Sequence, residues 1–293
     1  MKLYRKRKNN TKLTYSQLID SVKNTWEYFF RNDYFVNKLK VTIQENTRHT
    51  DLNKAFTDNS KNLLTIALHF NPFPIDESNL SFQFSGDCIF DFIEYMYHMI
   101  SAPINGYWFE DTTDSGFNYS EYRYEKFDEA KGQREFIEKV NSYLPYYKEG
   151  YELLETGEIV LLESELKSIL DQEIPNVNID RFEDIPIKVQ ESIAKFRQRN
   201  GILDLRKDAL KGLTDVNERL REFIKDKKIL NGTEVQLLFN IFGETADKFY
   251  IRHDNKKQVR DYDTIFLSML FHIYLSTIHA SIRIINQFQN FKK

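Results

Sequence analysis

The chain has 293 residues, 41% of them hydrophobic and 29% charged, which is long enough for two domains and ordinary for a globular protein. Ten glycines and six prolines are too few for a many-turned all-β fold, and 24 Phe and 17 Tyr must largely serve as core. The single cysteine, Cys88, excludes an intrachain disulfide and a cysteine-based metal site, so a reducing cytoplasm is the expected compartment.

Residues 1–10 are basic, and no apolar stretch with a small-residue cleavage site follows them, so a solvated tail is expected and not a secretory signal. Thr14 or Ser16 can cap a first helix with apolar positions Leu18, Ile19, Val22, Trp26, Phe29 and Phe30, ending near Asn32 and Asp33. A second helix is expected over residues 56–70, stopped by Pro72 and Pro74, and an aromatic-dense third over 88–100, stopped by Pro103. Residues 104–127 read as an irregular loop whose rings (Trp108, Tyr119, Tyr122, Tyr124, Phe127) pack back on the helices. Such rings can stack nucleobases, but basic residues hardly interleave with them. A helix over 129–143 follows, then one short β-hairpin near 151–162 with Gly157 taking a positive φ. A short helix over 163–173 leads to a linker over 174–180. Residues 1–173 thus form an aromatic-rich helical region, and a partner protein, if there is one, would contact it.

Residues 181–293 read as a four-helix bundle. The first helix spans 185–198. The second, capped by Asp204, presents Leu205, Ala209, Leu213, Val216, Leu220 and Phe223 on one face. The third is capped by Thr233 after the Asn231-Gly232 break. The fourth runs from 261 to 291, with no Asp, Glu, Lys or Arg between Thr264 and Ile282. Its polar residues, Asp261, Thr264, Ser268, His272, Ser276, His279, Arg283, Asn286 and Asn290, recur at steps of three or four and share a face. A run of this length could cross a bilayer, but two histidines and several hydroxyls inside it favour a buried helix, and no membrane partner is expected. Its wide apolar coverage makes a homodimer the expected assembly.

Charge is unevenly spread. Residues 184–293 hold 20 Lys and Arg against 14 Asp and Glu, whereas residues 1–183 hold 21 against 30, so the C-terminal part suits an anionic partner such as RNA. No phosphate loop, dinucleotide fingerprint, nucleophile elbow or His-Glu-x-x-His pair occurs. His272 and His279 stand two turns apart, about 10 Å, too far to share one metal, so neither metal nor cofactor is expected. Arg252-His253-Asp254-Asn255 places a guanidinium, an imidazole, a carboxylate and an amide side by side. An Arg can hold a phosphate and a His can move protons during attack by an RNA 2′-hydroxyl. The competing reading is a polar interhelical turn that caps the next helix.

Two pairs of segments and a single one carry a family resemblance: residues 194–199 with 206–213, residues 251–258 with 261–263, and residues 271–279, with Gly157-Glu-Ile-Val160 belonging to the same wider pattern. In these the chain resembles the HEPN (higher eukaryote and prokaryote nucleotide-binding) superfamily, and within it uncharacterised proteins of bacterial abortive-infection systems. The resemblance implies a helical bundle that often dimerises and often cleaves RNA without metal, using an Arg, a polar residue and a His four to six positions later. Arg252 and His253 match the first two positions. Positions 258–260 are Gln, Val and Arg, and the next histidine is His272. The resemblance therefore implies a site of Arg252, His253, Asn255 and His272, or else a non-catalytic dimerisation or sensing module.

Overall fold

The computed structural model describes residues 12–39, 68, 75, 88–112, 118–163, 167–175, 177, 179–199, 202–248 and 264–290. The protein is mostly α-helical and divides into two compact units, Met1–Leu162 and Glu163–Lys293. The helix expected over 56–70 lies outside the described residues except for Leu68, which is helical.

In the first unit, α1 (Tyr15–Arg31) begins where Thr14 accepts from the Gln17 amide while the Gln17 side chain accepts from the Thr14 amide. This reciprocal pair satisfies two of the amides that every helix start leaves over. The helix ends because Asp33 adopts a φ of 63° and lets the Tyr34 amide reach back to the Phe29 carbonyl. Its six predicted apolar positions are all buried. They meet α2 (Val36–Leu39), α3 (Cys88–Met99) and α4 (Glu129–Asn141) in a core of rings. Trp26 stacks on Phe35 at 4.5 Å and tilts on Phe92, Phe29 meets Phe136, and Phe90 meets Tyr151.

Residues 104–112 and 118–127 are not an irregular loop. They are antiparallel strands, β1 (Ala102–Thr112) with β2 (Asn118–Asp128), in a register that pairs Trp108 with Tyr122 and Gly106 with Tyr124. Their rings pack back only in part: Tyr107, Trp108 and Tyr122 are 44%, 49% and 39% exposed, whereas Tyr124 and Phe127 are half-buried and the Tyr124 hydroxyl donates to Asp33 just after α1. The expected short hairpin forms as β3 (Tyr151–Leu153) and β4 (Ile159–Leu161), with Gly157 at a φ of 89°. It is buried and tied down: the Asn141 side chain brackets the Leu153 backbone, and Glu94 accepts from the Ile159 amide at 2.7 Å.

The second unit starts with α5 (Lys167–Leu170), a shorter helix than the one expected over 163–173. Four longer helices follow: α6 (Ile185–Arg197), α7 (Ile202–Asp226), α8 (Gly232–Lys248) and α9 (Thr264–Asn290). The unit reaches back to residue 163, ahead of the expected linker at 174–180, because Leu170, Ile174 and Val177 pack into its core. α7 packs on α6, α8 and α9, so it shares the central position that periodicity assigns to α9 alone. α9 is unbroken and is long and apolar enough to cross a membrane by length and composition, with its core face packed on α7 and α8. Asn217 on α7 fixes that packing by donating to the Leu213 and Tyr274 carbonyls at 3.0 and 3.1 Å. At the α6 start, Arg219 grips Asp184 with two bonds of 2.8 Å, which holds the carboxyl well below the usual carboxylate range.

Candidate anion-binding groove

The last turns of α7 carry Arg221 and Lys225 four residues apart on one face of the helix, and Lys228 follows in the turn just beyond its end. α7 stops in the turn 227–231, and α8 then lays Gly232, Val235, Gln236 and Asn240 along the same side. These residues, with Leu230 and Asn231, line a groove of about 770 Å³. Three cations and three amides line it, and among the described residues no carboxylate does. Leu230 and Val235 give it an apolar floor.

Two local features keep the groove in this form. At its far end the α8 start is capped by Asn231, whose side chain accepts from the Glu234 amide at 3.0 Å while Glu234 accepts from the Asn231 amide at 2.8 Å. The cap is therefore Asn231 and not Thr233, because the helix begins two residues earlier than periodicity implies. An added Cβ at Gly232 would meet no atom within 4 Å, so the groove is open above the helix start. At its near end Lys228 has a φ of 49°, and the Ile229 and Lys228 amides reach the Ile224 and Lys225 carbonyls, both at 3.0 Å. Glycine is the ordinary occupant of that left-handed position, because a Cβ there crowds the backbone. A lysine kept in a strained conformation at the mouth of a cationic groove points to use of its charge. The Nε of Arg221 is buried without a hydrogen-bond partner among the described residues, which leaves a donor to spare.

Chemically, the arrangement suits an anion larger than inorganic phosphate. Spaced cations match successive phosphates, the helix start adds partial positive charge, and the amides can accept or donate to sugars and bases. The volume falls within the range of small-ligand sites, roughly 300–1,000 Å³.

Of the four residues expected to form a site, Arg252, His253 and Asn255 lie outside the described residues. His272 is described: it sits on α9 and is exposed. The polar face of α9 meets water at His272, Arg283 and Asn290 but not at His279, which is 5% exposed with neither ring nitrogen partnered. Burial, and then the nearby Arg283 charge, push the His279 pKa below its ordinary value. Among the described residues no group of three or more His, Cys, Asp or Glu is placed to hold a metal ion.

The described segments that carry the family resemblance meet one another, but as structure. The Arg206 guanidinium lies 4.6 Å from the Phe196 ring centroid, and Phe196 stacks on Phe271 of α9 at 4.0 Å. Arg206 is buried, pairs with Glu163 and donates to Ser268 Oγ at 3.1 Å. Gly212 lets α7 approach α6, since a Cβ there would stand 2.5 Å from Ser192 Oγ. The groove's cations were legible only as basic residues at steps of four and three at and just beyond the end of α7. No family model matches the chain, and neither a curated protein nor a solved structure does.

Proposed function

We propose that this chain binds RNA through its C-terminal unit and cleaves it without a metal, as a HEPN-like protein of a bacterial defence system. The observation that supports the binding part is the groove of Arg221, Lys225 and Lys228, which no carboxylate among the described residues lines. The cleavage part rests on the sequence. Arg252 would neutralise the non-bridging phosphate oxygens. His253 would take the 2′-hydroxyl proton as that oxygen attacks phosphorus and the bond to the 5′ oxygen breaks, with Asn255 orienting one of them. The departing 5′ oxygen would take its proton from water or from His272, which is exposed on α9.

The test is titration of a labelled single-stranded RNA at two salt concentrations, with cleavage followed in chelator. Replacing Arg221, Lys225 and Lys228 together by Ala should weaken binding tenfold or more and flatten the logarithmic salt slope by about 2, since each phosphate contact on a single strand contributes about 0.7. Arg252→Ala and His253→Ala should abolish cleavage and leave melting temperature nearly unchanged. RNA left intact by stoichiometric protein, with binding retained, would replace the nuclease reading by a second one. That reading, a non-catalytic sensing or dimerisation module, is favoured by the absence of a histidine at positions 258–260.

A further inference from the structure

A two-stranded ribbon with water on both faces is marginal by itself, yet β1 and β2 extend for 11 residues each. Side chains that stabilise such a ribbon belong in its cross-strand pairs, and here the pairs carry more apolar surface than the ribbon covers. Trp108 meets Tyr122 edge-on at 5.3 Å, and Tyr122 meets Tyr124 likewise at 5.3 Å. Gly106 makes this possible, because a Cβ there would stand 2.3 Å from the Tyr122 hydroxyl, so the ring lies across the strand where a side chain would otherwise be. The row remains open to solvent at Trp108 and Tyr122, and Tyr107 is open on the opposite face. Exposed aromatics in a continuous row mark an interaction surface.

The charge of the ribbon decides what fits it. Residues 102–128 hold six Asp and Glu against two Lys and Arg, so a nucleic acid would be repelled and a basic protein surface attracted. The ribbon also shows how it receives a cation: the Arg123 guanidinium lies 3.8 Å from the Phe109 ring centroid. The complementary surface is present on this same chain. Residues 184–293 are basic in balance, the groove presents Arg221, Lys225 and Lys228, and Leu237, next to the groove residue Gln236, is 76% exposed. Area agrees with this. Eleven residues of strand span about 36 Å, and two strands are about 10 Å wide. Two such contacts related by a two-fold axis would bury on the order of 1,400 Å², which falls within the range of stable dimers.

We propose that the β1–β2 hairpin of one copy docks on the basic groove of a second copy, Trp108 and Tyr122 against Arg221, Lys225 and Lys228, in a reciprocal dimer that competes with RNA for the groove. The competition rests on the RNA reading above; the dimer does not.

The test is sedimentation velocity of the full chain across micromolar concentrations at low and high salt, with single-stranded RNA binding measured on the same preparations. Wild type should dimerise, less so at high salt, and acrylamide should quench Trp108 less as concentration rises, Trp26 being buried throughout. Trp108→Ala and, separately, Glu110→Lys with Glu125→Lys should each weaken self-association roughly tenfold or more while RNA affinity holds or improves. The second variant leaves every ring in place, so a misfolded hairpin cannot imitate the effect. The triple Ala variant of the groove should lose both properties. A monomeric wild type, or a dimer indifferent to both hairpin variants, overturns the proposal. So does a Trp108→Ala variant that loses RNA binding and still dimerises, which would make the hairpin a base-stacking platform. Dimerisation without any RNA binding would leave the docking standing and remove the RNA reading.

Discussion

The two units bury their apolar surface by different means. In the first, short elements converge on aromatic rings, and side chains bind backbone across long stretches of sequence: Tyr97 donates to the Glu155 carbonyl, and Lys38 donates to the His98 carbonyl while pairing with Glu129. In the second, long helices with one apolar face each bury Leu, Ile and Val, and only a few polar ties such as Asn217 cross between them. Rings supply much area per residue, so a unit built from short helices and hairpins can still close a core. Long helices supply area by repetition and leave their outer faces for charge. That is why the aromatic row and the cationic groove lie on different units.

The largest expected effect tests whether the two cores are separate. Phe271 stacks on Phe196 in the second unit, and Phe271→Ala should cost about 3–5 kcal/mol there. Both tryptophans, Trp26 and Trp108, belong to the first unit. Helical circular dichroism should therefore lose part of its amplitude at a lower temperature while the tryptophan fluorescence transition stays in place. If the two signals shift together, the units unfold as one and the distinction between two cores fails.

Next comes Arg206→Ala, which leaves the largely buried Glu163 carboxylate without its partner and should destabilise the second unit by about 3 kcal/mol. Arg206→Met with Glu163→Gln should recover most of that loss, because a buried pair costs more to break than to replace. Equal losses in both variants would mean that Arg206 acts by packing on Phe196 and not by charge.

These ties explain which parts of the fold were legible. α1 and α7 show one apolar stripe at helical spacing; all six marked positions of α1 are buried, as are five of the six on α7, where Leu205 is half-buried and Leu210 and Ile224 join the core unmarked. The β1–β2 hairpin was illegible for a physical reason. Alternation appears in a strand when one face is buried, and here neither is, so Tyr107, Trp108 and Phe109 follow one another without a period. Asn105 and Gly106 look like loop formers, but Asn105 holds a φ of 53° within the strand and Gly106 makes room for the Tyr122 ring. The groove was missed for the opposite reason. Two of its three cations stand on a helix whose apolar stripe is so clear that the solvent face reads as ordinary charge.

Lys228→Gly sharpens the contrast between core and surface at a smaller scale. Relief of a left-handed lysine should raise the stability of the second unit by about 1 kcal/mol. If the groove holds RNA, the same change should weaken RNA binding and lower its salt slope, so stability and affinity would move in opposite directions. A variant that is more stable and binds RNA unchanged would remove Lys228 from the groove's function.

The smallest expected effect concerns His279, the one part of the α9 polar face that the core encloses. Burial first, and the Arg283 charge second, hold its pKa below the ordinary 6.5. Above that pH the ring is neutral in both folded and unfolded chains and imposes no penalty. As pH falls below 6.5 the unfolded chain takes up a proton that the folded chain resists, so the folded state loses stability progressively. Asp184, whose pKa is depressed by Arg219, loses its contribution only as pH falls below about 3.8, a separate window. Melting followed from about pH 8 to about pH 5 should therefore fall more steeply for wild type than for His279→Leu, which cannot titrate there. Equal slopes for wild type and His279→Leu would show that the α9 polar face is solvated along its whole length, and that the enclosed histidine is no part of the difference between the two cores.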